Sequence, residues 1–221
     1  PMFKRKKEAA EPTRFEGLPK EPPQIYTTIS AGDVDTVKKY LGKPELDPNT
    51  TEGYDEDTAL IWAAFCGQPE IVRLLVEDKR VDVNKCNFEG NSPLFYACAR
   101  DKGECVQELL KHPDIDWEKT GTGSRTPLAI GIENDACSAV EALFADKRVV
   151  FPYDIFTLVR GKSKILAIIL SDERVSVEQA VEAFKKDPTE EFAFLICCHK
   201  GLSPGEFIEN EAILEKVGKR G

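Results

Sequence analysis

Only two histidines, His112 and His199, stand in this chain of 221 residues, so a mechanism that needs an imidazole base has two starting points. His112 is followed by Pro113 in a turn pattern and reads as a solvent-facing turn residue. Cys197, Cys198 and His199 are consecutive, and side chains so placed diverge on a helix instead of converging on one metal. The seven cysteines are an odd number and contain no C-x-x-C pair, which fits reduced, packed thiols better than a disulfide framework or a zinc site. The run TGTGSRTP at 120–127 puts glycine amides ahead of a helix start, where they could cradle a phosphate. It lacks the G-x-x-x-x-G-K-[ST] spacing and a preceding strand pattern, so it reads as a turn. Asp55, Glu56 and Asp57 lack the spacing of a calcium loop. No catalytic, cofactor or metal residue is therefore expected, and the chain reads as a non-enzyme. One enzymatic alternative places an active site in 152–221, and a cleft with converging polar groups there would favour it.

Charge narrows the partners. The formal net charge is −9, which argues against nucleic acid, since a basic face is what that ligand requires. Only Lys4-Arg5-Lys6-Lys7 is strongly basic; it reads as a solvated leader, with a nuclear-localisation patch or a nucleic-acid contact as alternatives. No apolar run approaches the roughly 18–20 residues that cross a bilayer, so no membrane is expected and the location is expected to be cytoplasmic. Pro1 ahead of Met2 is expected to be a tag remnant. With Pro12, Pro19, Pro22 and Pro23 following, 1–23 reads as a flexible leader.

The elements that must carry any function repeat. Thr58, Ser92 and Thr126 stand at intervals of 34 and are followed by Ala59-Leu60, Pro93-Leu94 and Pro127-Leu128. A hydroxyl caps free helix N–H groups, and proline costs nothing at the next position, so each is a helix start. Small residues follow, Ala63-Ala64 and then Ala97-Cys98, and a second amphipathic helix carries Ile71, Val72, Leu74 and Leu75, then Val106, Leu109 and Leu110, then Val140, Leu143 and Phe144. One such helix pair cannot bury both of its apolar faces. It needs a similar pair above and below, so the chain predicts a stack of short helix-turn-helix units.

These stretches resemble the ankyrin repeat, which opens with T-P-L-H-x-A and closes with a short D-V-N turn. DTALIWAAFCGQPEIVRLLVEDKRVDVN and SPLFYACA match it, TPLAIGIENDACSAVEALFADKRVV is a looser copy, and 25–49 looks like a capping version. The resemblance implies an all-α solenoid of stacked repeats, with units at about 24–53 (capping), 54–87, 88–121, 122–151 and a degenerate 152–175. Residues 176–221 form a degenerate terminal repeat or a helical cap, with continuation of the stack favoured. Two departures stand out. The motif histidine is replaced by Ile61, Phe95 and Ala129, and the glycine ending the second helix is absent, which predicts a different helix exit near Asp78, His112 and Asp146.

The resemblance also implies function: a non-catalytic scaffold or adaptor module that binds another protein, not a small-molecule substrate, on its concave side. Mapped onto that side, the candidate contact residues are Tyr54, Asp55, Asp57, Phe65, Phe88, Glu89, Asn91, Arg100, Arg125 and Glu133. Tyr54, Phe65 and Phe88 are the aromatic anchors among them, whereas Trp62 and Trp117 read as core.

Overall fold

The computed structural model describes residues 24–51, 55–150, 152, 155–186 and 189–201. Over these residues the protein is all-α, built from helix pairs: α1 (Gln24–Ser30) with α2 (Val34–Leu41), α3 (Ala59–Cys66) with α4 (Pro69–Glu77), α5 (Pro93–Ala99) with α6 (Gly103–Leu110), and α7 (Pro127–Glu133) with α8 (Cys137–Ala145). The short α9 (Ile155–Leu158) precedes α10 (Ser163–Ser171), and α11 (Val177–Lys186) precedes α12 (Glu190–Lys200). First helices pack on first helices from α1 through α3, α5 and α7 to α9, and second helices on second helices from α2 through α4, α6, α8 and α10 to α12. Among the described residues no helix is long and apolar enough to cross a membrane.

The three hydroxyl caps form as their spacing predicts. Thr58, Ser92 and Thr126 each accept, at 3.2 Å, the N–H of the residue three positions on. Thr189 does the same for α12, and Ser176 and Gln179 form a reciprocal capping box ahead of α11. Between the two rows lies one continuous core. Leu60, Ile71, Leu75, Leu94, Leu109, Leu143, Ile165 and Ile169 are fully buried in it, each stabilising by about 1.5–3 kcal/mol relative to exposure.

The turn between first and second helix needs a left-handed residue. Gly67 fills it at φ 75°, and Asp101 and Asp135, 34 residues apart, fill the same place at φ 53° and 56°. Asp101 gains something in return for the strained backbone: its Oδ1 accepts the Ala139 N–H at 2.9 Å, capping the next second helix across the repeat boundary.

At the exits of α4, α6, α8 and α10 no left-handed glycine appears, whereas α12 ends on Gly201 at φ 66°. Asp78 and Asp146 follow α4 and α8 in extended backbone, as the missing glycine predicts, and Asp172 does the same after α10, but α6 ends ahead of His112 on Lys111 in right-handed backbone. The physical substitute is an Asp-x-Arg pair. Arg174 binds Asp172 at 2.7 Å and donates to the Phe144 and Val149 carbonyls at 2.8 and 2.9 Å. Arg80 spans from Asp78 to the Leu41, Lys43 and Leu46 carbonyls, and Arg148 from Asp146 to those of Leu110, His112 and Pro113. Each guanidinium thus satisfies orphan carbonyls at the end of the preceding second helix.

The copy between lacks the pair, because His112 and Asp114 stand at the equivalent positions. Installing His112→Asp with Asp114→Arg is expected to stabilise the fold by about 1 kcal/mol, the net worth of one ordinary hydrogen bond, as a rise in melting temperature. The clamps also set an acid limit. Hydrogen bonds from Arg80, Arg148 and Arg174 hold the carboxyls of Asp78, Asp146 and Asp172 below their ordinary 3.8. Groups depressed on folding contribute stability that is present above pH ~4 and is lost as pH falls through their folded values. Urea midpoints should therefore drop between pH 5 and pH 3, and by less in a variant carrying Asn at all three positions.

Candidate functional site

Aromatic side chains on the first-helix row form a continuous strip. Trp62 and Phe65, one turn apart on α3, stack with centroids 5.3 Å apart. Tyr26 of α1 meets the Trp62 edge at 5.8 Å, and Tyr96 of α5 meets Phe65 at 5.8 Å. The Trp62 indole N–H donates to Ser30 Oγ at 2.9 Å, which fixes the ring plane. Over the Phe65 ring sits the Arg100 guanidinium, 4.3 Å from the centroid, within cation–π range.

Above the strip the turns are tied together by two asparagines. Asn87 Nδ2 donates to Asp57 Oδ1 at 2.9 Å and to Tyr96 Oη at 3.1 Å. Asn91 Nδ2 donates to Glu89 Oε2 at 3.1 Å and to Tyr96 Oη at 3.3 Å, and its Oδ1 accepts from the Thr122 backbone and hydroxyl. Where the motif histidine would stand, Ile61 and Phe95 are simply buried. The turn-to-turn link runs through these amides instead.

The predicted contact residues separate accordingly. Asp57 and Glu89 are linked to Tyr96 through Asn87 and Asn91, Phe65 meets the Tyr96 ring beneath Arg100, and Phe88, next to Asn87 in sequence, is exposed to 63%, its N–H donating to the Asp55 carbonyl at 2.9 Å. Arg125 and Glu133 pair with each other at 2.8 Å one copy further on. Asn91 requires a correction: it is 2% exposed, so it holds the turns in place and offers nothing to a partner. Tyr54 lies outside the described residues. Sequence reasoning missed Tyr26 and Tyr96 and placed Trp62 wholly in the core, whereas Trp62 is half-buried with its ring in the strip. The 34-residue interval from Trp62 to Tyr96 was the available signal.

Among the described residues the remaining chemistry does not assemble into a catalytic centre. A groove of about 520 Å³ between α8, α10 and α12 brings together Cys137, Glu141, Lys164, Ser171 and His199. Within it Ser171 Oγ lies 2.8 Å from His199 Nδ1, but the Ser171 hydroxyl donates to the Ala167 carbonyl at 2.8 Å. That back-bond holds the proton a nucleophilic serine would give to the imidazole. All seven cysteines are free thiols. Burial pushes the Cys105 thiol up to about 12 and that of Cys98 higher still, so both keep their protons at neutral pH. Among the described residues no group of three or more His, Cys, Asp or Glu is placed to hold a metal ion. The 120–127 run forms a tight turn, with Gly121 N–H donating to the Arg125 carbonyl at 2.9 Å.

Comparison with known proteins matches this architecture. Over 116 residues the chain is 31% identical to ankyrin repeat and KH domain-containing protein mask-1 of Caenorhabditis elegans, covering 51% of this chain and 4% of that protein. Over 118 residues it is 33% identical to ankyrin repeat domain-containing protein SAT10 of Stachybotrys chartarum, covering 51% and 6%. A third relative, alpha-latrocrustotoxin-Lt1a of Latrodectus tredecimguttatus, is 34% identical over 91 residues, covering 40% and 6%. The chain thus spans only 4% to 6% of the length of these curated relatives. Among solved structures, a chain in the crystal structure of the yeast ribosomal protein Rps3 in complex with its chaperone Yar1 shares the fold at a TM-score of 0.52. Its identity is 23%, over 58% of this chain and 93% of that one. The family described as ankyrin repeats (3 copies) matches residues 25–121 and 79–151; with the stacked helix pairs and the repeated hydroxyl caps, this establishes that the chain belongs to the ankyrin repeat family.

Proposed function

We propose that the protein is a scaffold or adaptor that holds a protein partner on the concave side, against the aromatic strip. The observation that carries this reading is the rigid presentation of Trp62, Phe65 and Tyr96 by stacking and by the asparagine network, with Phe88 exposed one residue after Asn87. Side chains ordered before docking lose little entropy on binding, and aromatic anchors in such patches carry most of the affinity. The solved complex of Rps3 with its chaperone Yar1 supplies an analogy at the level of fold alone.

The test is an affinity capture from cell extract with the wild-type chain and a Phe65→Ala, Phe88→Ala variant, read by mass spectrometry. A protein retained by the first and lost by the second, with an unchanged circular dichroism spectrum, is the expected result. Phe88→Ala alone should weaken that complex by ~2 kcal/mol while leaving the melting temperature within a degree or two. Equal retention by both chains would remove the strip from consideration.

A further inference from the structure

The strip carries an uneven charge. Among the described residues Asp55, Asp57 and Glu89 take part in no ion pair, although the acidic groups at the helix exits and Glu133 all do. Asp57 and Glu89 are held in place by amide donors, Asn87 and Asn91, which themselves meet at the Tyr96 hydroxyl. Burial, together with the like charges of Asp55 and Glu89, pushes the Asp57 carboxyl above its ordinary value. On adjoining turns Asp55 and Glu89 are thus exposed and Asp57 is half-buried, with no counter-charge supplied by the described residues. Arg100 is spent on the Phe65 ring and pairs with no carboxylate among the described residues.

Resting on the reading that this face is the partner site, we infer that its ligand is a basic segment of a protein. An apolar side chain of that segment packs on Phe65 and Phe88, and a flanking arginine or lysine is received by Asp55, Asp57 and Glu89. Charge complementarity selects this occupant: an acidic segment would face those three carboxylates unrelieved, and a neutral one would leave their repulsion in place. The position of Arg100 shows that the Phe65 ring accepts a guanidinium. It also places one like charge where a basic ligand approaches, so removing it should help binding.

The probe is a labelled peptide of alternating arginine and leucine, with a glutamate–leucine peptide of equal length as control. The protein carries Trp117→Phe, which leaves Trp62 as the sole tryptophan and makes its fluorescence a reporter of the strip. The arginine–leucine peptide should bind and change the Trp62 emission. Asp55→Lys with Glu89→Lys should weaken it ~10-fold or more, whereas the same charge change at Glu141 and Glu182 should not, and Arg100→Gln should tighten it several-fold. Equal binding of the glutamate–leucine peptide, or equal loss from both charge-reversed proteins, overturns the inference. If an extract protein is captured by the wild type and lost from the Phe65, Phe88 variant while the arginine–leucine peptide fails to bind, the basic ligand is overturned and the partner site stands. Failure of both experiments overturns both.

Discussion

Arg174→Ala is expected to lower stability by about 2–3 kcal/mol, more than any other truncation of an exit clamp. Its guanidinium makes two bonds to carbonyls of the preceding copy, to Phe144 and Val149, and a bidentate pair with Asp172. The arginine and aspartate side chains are only 26% and 11% exposed. Truncating it removes those charge-assisted bonds, and because water re-solvates part of the vacated site the net loss is about that of one such bond, roughly 1.5–3 kcal/mol; it also leaves the Asp172 carboxylate with a weaker counter-charge. Lys200, whose ammonium donates to the Asp172 carbonyl at 2.8 Å, remains to soften the loss. Arg148→Ala should cost less, because that side chain is 42% exposed and water can take its place. Thermal melts of the two variants under one condition should keep that order. A melting temperature unmoved by Arg174→Ala would mean that solvent serves the Phe144 and Val149 carbonyls equally well.

These clamps mark where the sequence was and was not legible. Helix starts were readable because a capping hydroxyl followed by proline acts locally: Ser92 and Thr126 need only their own next three residues to work. The exit geometry near Asp78 and Asp146 was readable as an absence of glycine. Its replacement was not read, although DKRV stands at 78–81 and again at 146–149, with DERV at 172–175. The arginine in that pattern acts on carbonyls 25 to 39 residues upstream, so its role depends on the stacking register and not on its neighbours in sequence. The aromatic strip was half legible for the same reason. Phe65 and Phe88 stood out as large apolar groups at outward positions, but Trp62 joins the strip between Phe65 of its own helix and Tyr26 of the preceding copy, and the second contact exists only once the copies are stacked. Asn91 was misplaced because a polar residue in a turn ordinarily faces water. Here the partners that make its burial affordable, Glu89, Tyr96 and Thr122, converge only once two repeats are stacked.

The stacking contact itself gives the second large effect, at Gly103. This residue opens α6 and is buried against α8. A Cβ added there would lie 2.7 Å from the Ser138 carbonyl oxygen and 2.9 Å from its carbonyl carbon. Both atoms are backbone, so no side-chain rotation relieves the clash, and α6 and α8 must separate. Overpacking of this kind costs about 1–3 kcal/mol; Gly103→Val, with two further methyl groups, should lie at or beyond the upper end. The sign makes the experiment decisive. Gly103 sits in helical backbone, where exchange of glycine for alanine ordinarily gains up to about 1 kcal/mol in helix propensity. Gly103→Ala should nevertheless destabilise, whereas in a looser interface it would stabilise. Because repeats are coupled only to their neighbours, the loss should first appear at this boundary. Amide exchange should accelerate in α6 and α8 before it does in α3, and protection that stayed uniform along the stack would show that the α6–α8 contact is not the weak link the wedge creates.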